Sequence, residues 1–76
     1  MPTKPAIVVE PRSDGTWARK SQGASRASSL HGTQASAVKA ARAQAQREKT
    51  ELIVKGEDGQ IQKRDSFGDD PRRSKG

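Results

Sequence analysis

Two Asp-Gly turns frame one alanine-rich helix, and that arrangement limits what the chain can fold into more than any other feature. The first turn, Ser13-Asp14-Gly15, leads into Thr16-Trp17-Ala18-Arg19-Lys20. The second, Gly56-Glu57-Asp58-Gly59, joins Glu51-Leu52-Ile53-Val54-Lys55 to Gln60-Ile61-Gln62-Lys63-Arg64. Glycine after aspartate supplies the positive φ that a tight turn between strands needs. Ala6-Ile7-Val8-Val9-Glu10 is β-branched and short and reads as strand one, closed by Pro11, which has no amide to give a ladder. Alternation over residues 16–20 puts Trp17 and Arg19 on one face and Thr16, Ala18 and Lys20 on the other. Ser21 to Ala24 form another turn, and the Ser-rich run from Ser25 to Leu30 is either a short third strand or a loop.

Thr33 is placed to N-cap a helix running to about Lys49, because its hydroxyl can accept an amide of the first turn. Residues 34–49 contain no Gly or Pro and many strong helix formers. Ala37, Val38, Ala41 and Ala45 form one narrow apolar stripe, small enough to let the helix lie close to a sheet. Lys39, Arg42, Gln46 and Lys49 form a second stripe directed toward solvent, and Arg47 and Lys49 suit the negative end of the helix dipole.

With 76 residues the chain holds one domain. At 29% hydrophobic and 32% charged, with one Trp and one Phe, its overall make-up leans toward disorder. The apolar residues are clustered, however, at 6–9, 17–18, 37–45, 52–54 and 61. The expectation is therefore a disordered N-terminus over 1–5, a single α+β domain over 6–68, and a disordered basic tail over 69–76. The order β-β-(β)-α-β-β implies a two-layer domain, an antiparallel sheet with one helix packed on one face. Its core is expected to hold Ile7, Val9, Trp17, Leu30, Val38, Ala41, Ala45, Leu52, Val54 and Ile61, and the sheet's other face is expected to be polar and solvated.

These residues, in this order, resemble the bacterial family called domain of unknown function 2188. The resemblance rests on the valine-rich first strand ending at Pro11, and on Asp14-Gly15 with Trp17-Ala18-Arg19-Lys20. It continues through His31-Gly32-Thr33-Gln34 with Ala37, and Glu51 to Gly56 with Asp58-Gly59-Gln60-Ile61. It ends on Asp65-Ser66-Phe67-Gly68-Asp69-Asp70-Pro71. It covers about residues 6 to 71 and implies the same small α+β domain; it brings no assigned activity and no catalytic residues.

Several chemistries lack their residues. No cysteine is present, which removes disulfides, thiolate metal sites and Cys nucleophiles and fits a reducing compartment. A single histidine and dispersed acids make no metal site, and the adjacent Asp69-Asp70 pair does not converge on a cation by itself. His31 near Ser28 and Ser29 has no evident acid to orient it as a base, and reads as a support for the helix entrance. The glycines are single and turn-like, with no phosphate-cradling motif. Trp17 reads as a core anchor rather than a base-stacking platform. No apolar run approaches a membrane span or a signal-peptide core, so a cytoplasmic location is expected. No enzyme, cofactor or small-molecule substrate is expected.

What rises above background is positive charge: 15 Lys and Arg against 9 Asp and Glu, a net +6. Arg19, Lys20, Arg26, Lys39, Arg42, Lys63 and Arg64 are candidates for one electropositive surface, set against an ordinary solvated surface with interspersed acids. The nucleic-acid-binding candidates are Lys39, Arg42 and Lys49 on the helix and Arg72, Arg73 and Lys75 in the tail. With so few aromatics, binding would go to phosphates, without sequence preference and with strong salt dependence. The alternative is a protein–protein module, including a homodimer that pairs an exposed strand edge.

Overall fold

The computed structural model describes residues 5–67. Five strands and one helix follow in the order β1 (Ile7–Pro11), β2 (Trp17–Ser21), β3 (Ser29–His31), α1 (Gln34–Glu48), β4 (Glu51–Lys55) and β5 (Ile61–Ser66). The strands form one sheet in the order β3-β2-β1-β4-β5. The Ser-rich run thus contributes a short edge strand, which extends through His31. The expected disordered segments, 1–5 but for Pro5 and 69–76, lie outside the described residues.

The sheet is mixed rather than antiparallel. β1 pairs antiparallel with β2, β2 with β3, and β4 with β5, but β1 and β4 run parallel, with Ile7, Val8 and Val9 beside Leu52, Ile53 and Val54. The cause is the helix. β3 runs in the same direction as β1, and α1 carries the chain back along the sheet, so β4 starts from the end where β1 started. Parallel neighbours require such a crossover.

Both long hairpins turn on the same chemistry. Arg12 O accepts from Gly15 N at 3.1 Å in the first, and Gly56 O accepts from Gly59 N at 2.9 Å in the second. Gly15 and Gly59 have φ of 92° and 83°, the left-handed region that glycine tolerates. Asp14 accepts from Thr16 N and Asp58 from Gln60 N, each at 3.0 Å.

α1 starts where its cap residue requires. Ser36 N donates to Thr33 Oγ1 at 3.1 Å. It ends at Lys49, whose φ of 57° places it in the left-handed region, and Thr50 N closes on Ala45 O. Ala37, Ala41 and Ala45 are fully buried and bring the helix axis close to β1, β2 and β4. Between helix and sheet, Ile7, Val9, Trp17, Leu52 and Val54 complete the core, with Val38 and Phe67 packed at its border.

Leu30 and Ile61 are not in this core; they are 51% and 52% exposed. Leu30 lies opposite Ala18, on the face of the sheet that the helix does not cover. Ile61 would have reached the helix side by regular alternation from Lys63. A register shift between Val54 and Lys55 instead sets Ile61 opposite Lys55, and a one-residue shift moves a side chain to the other face. That other face is not simply polar either, since Ala6, Val8 and Ile53 form a second buried apolar cluster there.

Candidate nucleic-acid interface

The solvent side of α1 is built from the residues that its inner alanine stripe leaves over. At 100° per residue, Ala37, Ala41 and Ala45 fix the buried side, and Lys39 stands nearly opposite them. Arg42 lies about 60° to one side of Lys39 and Arg47 about 80° to the other. Lys39 and Arg47 are exposed, and Arg42 is half-buried. Lys39 and Arg42 line one shallow depression of about 490 Å³ together with Ala35, Val38, Ala43 and Gln46. Lys49 is exposed but has left the helical stripe, because as C-cap it takes the left-handed conformation. Arg72, Arg73 and Lys75 lie outside the described residues.

The charge on this side is of one sign. The acid of α1, Glu48, accepts from Gln44 Nε2 at 3.0 Å at the helix border, where Gln44 also accepts from Arg19 at 2.7 Å. Among the described residues, Lys39, Arg42, Arg47 and Lys49 form no ion pair. Arg47 belongs to this group as much as Lys39 does; its spacing of eight residues from Lys39, a little over two turns, was the signal for it.

The wider set of cations does not form one surface. Arg19 is turned into hydrogen bonds with Ser29 and Gln44. Lys20 and Arg64 lie on the helix-free face, and Lys63 pairs with Asp65 at 3.6 Å. The alternation of β2 and β5 divides these residues between the two faces.

His31 sits between two hydroxyls at the helix entrance. Its Nε2 is 2.8 Å from Ser29 Oγ and its Nδ1 is 3.1 Å from Ser36 Oγ. Ser29 Oγ also accepts from Arg19 Nε at 3.0 Å. The ring therefore ties β3 to the first turn of α1. Among the described residues, no group of three or more acids and histidines is gathered as a metal site, and no helix is long and apolar enough to cross a membrane. In the first turn between strands, Asp14 has its pKa lowered, first by the Thr16 hydroxyl and amide that donate to it and further by the Arg12 charge.

A family described as an uncharacterized protein conserved in bacteria, DUF2188, matches residues 7–67. The chain belongs to this family. The match runs from the first residue of β1 to Phe67, so all six elements and the cationic side of α1 fall within it. No curated protein and no solved structure matches the chain.

Proposed function

We propose that this member of the DUF2188 family is a non-enzymatic, cytoplasmic protein that binds nucleic acid weakly and without sequence preference through the outer side of α1. The observation that carries this reading is the segregation of charge: Lys39, Arg42, Arg47 and Lys49 stand outward with no ion pair among the described residues, while Glu48 is held by Gln44. From Lys39 to Arg47 the helix rises about 12 Å, comparable to three or four steps of a duplex at about 3.4 Å each. Cations at that spacing neutralise successive phosphates and release condensed counterions. Arg72, Arg73 and Lys75 extend the same charge in sequence. The non-enzymatic reading is supported by His31, whose second nitrogen meets a hydroxyl and not a carboxylate, and by Ser29, which already accepts from Arg19.

The test is fluorescence anisotropy with duplex and single-stranded oligonucleotides at two salt concentrations. Three or four phosphate contacts give a slope of log K against log salt of about −3 for duplex DNA, with dissociation constants of about 10⁻⁶ M or weaker near physiological salt. Lys39→Glu with Arg42→Glu should weaken binding to all sequences alike and leave helicity intact, because neither side chain enters the alanine stripe. No binding at low salt with protein well above micromolar overturns the proposal.

A protein–protein role is the second reading, and the observation that favours it is β5. Its six residues include none that is buried, α1 touches it through a hydrogen bond from Gln34 to Gln62 at 3.1 Å, and among the described residues its outer edge has no neighbouring strand. Pairing with a second copy meets an obstacle there. An antiparallel self-pair about a two-fold axis sets one residue opposite its own copy, and in the central registers that residue is Lys63 or Arg64. Like charges directly opposite are destabilising, and edge lysines and bulges are common guards against such pairing.

A further inference from the structure

The helix-free face of the sheet has the composition of a surface meant to be covered. Ile7-Val8-Val9 and Leu52-Ile53-Val54 are unbroken aliphatic runs on adjacent parallel strands. Parallel strands with such runs characteristically have both faces covered, yet α1 covers only one. On the side away from α1, Val8 and Ile53 are already buried, 7% and 5% exposed, and Ile61 beside them, 52% exposed, is what presents apolar surface. Together these three line a depression of about 410 Å³ rimmed by Lys20, Lys55, Arg64 and Glu10.

The rim is cationic overall. Glu10 is shared by two ammonium groups, with Lys20 Nζ at 3.6 Å and Lys55 Nζ at 3.5 Å. Arg64 makes no ion pair among the described residues, and Glu51 on the same face of β4 stands outside the depression. Three cations against one carboxylate leave a net charge of +2 around an apolar floor.

We infer that this face docks an amphipathic helix of another protein, one whose apolar stripe is flanked by glutamate or aspartate. Charge complementarity selects that occupant. A second copy of the chain would bring the same three cations against themselves. The chain's own residues 1–4 and 68–76 contain Met1 as their one large apolar side chain and carry a net positive charge, so they complement neither the floor nor the rim. Nucleic acid supplies the negative charge but no aliphatic ridge for Val8, Ile53 and Ile61. A floor recessed below its rim takes an inserted ridge of side chains, whereas a lipid surface is met by apolar groups that protrude. Helix on an open sheet face is also the regular way to complete a third layer.

The experiment is a methyl-detected NMR titration of the full chain with a synthetic amphipathic peptide of about four helical turns (~14 residues), with leucines on one stripe and glutamates on its flanks. The same peptide with lysines replacing the glutamates is the control. The expected result is saturable shifts of the Val8, Ile53 and Ile61 methyls with the acidic peptide, and an affinity lowered about tenfold by Arg64→Glu. Lys39→Glu with Arg42→Glu leaves this binding unchanged, which separates it from nucleic-acid binding by α1. Arg64 is exposed, so its replacement keeps the fold intact, as unchanged core methyl positions would confirm. Equal binding of the lysine peptide, or no shift at the three methyls, overturns the inference. So do the same shifts produced by raising the protein concentration alone, which would make a second copy the occupant, or by anionic lipid vesicles and not the peptide.

Discussion

The two Asp-Gly hairpins start from nearly the same local chemistry and arrive at opposite environments. β1–β2 and β4–β5 share a glycine in the left-handed region and an aspartate that accepts from the amide two residues on. In the first hairpin the returning strand begins with Trp17 and Ala18, both buried, and is flanked by β1 and β3. In the second, the returning strand β5 contains no buried residue, lies at the sheet edge, and meets α1 through the Gln34–Gln62 hydrogen bond at the helix start. Turn chemistry therefore says that a chain reverses, and nothing about whether the strand that follows is buried. What separates the two is the side on which α1 lies and the shift that turns Ile61 away from it.

The contrast is sharpest in side-chain truncation. Trp17→Ala should cost about 3–5 kcal/mol and unfold much of the population, since it removes the largest core side chain between β2 and α1. Ile61→Ala should cost about 1 kcal/mol or less, because half of that side chain is already in water. Urea denaturation of both variants, alongside a blue-shifted Trp17 emission in the native protein, checks the pair; equal losses would break the contrast.

The turns themselves should behave alike. Neither Gly15 nor Gly59 would bring an added Cβ within 4 Å of another group, so Gly15→Ala and Gly59→Ala test backbone conformation alone. Each should lower stability by about 1–2 kcal/mol, the cost of a side chain in the left-handed region. Thermal midpoints that differ widely between the two would show that the hairpins do not share their turn energetics.

Amide exchange offers a smaller but more local reading. Amides of β1 that donate into the parallel and antiparallel ladders should exchange only through global unfolding, while those of β5 exchange through local opening of the second hairpin. Protection in β5 as high as in β1 would mean that its edge is covered in solution and would break the contrast between the hairpins.

The smallest effect distinguishes the two aspartates' partners. Thr16 gives Asp14 its hydroxyl at 2.6 Å as well as its amide, whereas Gln60 gives Asp58 an amide. Because the folded pKa of Asp14 is lowered, its contribution is present above the unfolded value of about 4 and is lost as the pH falls through the folded pKa. Asp14→Asn should therefore remove the contribution present above the unfolded pKa and flatten the acid limb of a stability-against-pH curve, leaving the slope near neutrality unchanged. An unchanged acid limb would refute the lowered pKa.

Much of the fold was legible in the sequence because it depends on neighbours along the chain. The two turns, the Thr33 cap, the alanine stripe and the β-branched runs each act within a few residues, and they give the order β-β-(β)-α-β-β, with strand or loop left open over residues 25–30. The outward cations Lys39 and Arg42 were legible for the same reason, since a helical period decides them once Ala37, Ala41 and Ala45 are inside. Tertiary structure alone decided the rest. The parallel pairing of β1 with β4 follows from the path of α1 across the sheet, and Lys49 leaves its stripe only because the helix ends there. Leu30 is exposed because it lies on the face of β3 that the helix does not cover, and Ile61 because its strand is shifted in register; no local pattern records which face of a strand a distant helix will cover. Val8 and Ile53 read as strand residues in the chain; their shared, cation-rimmed face exists only once β1 and β4, more than forty residues apart in sequence, lie side by side.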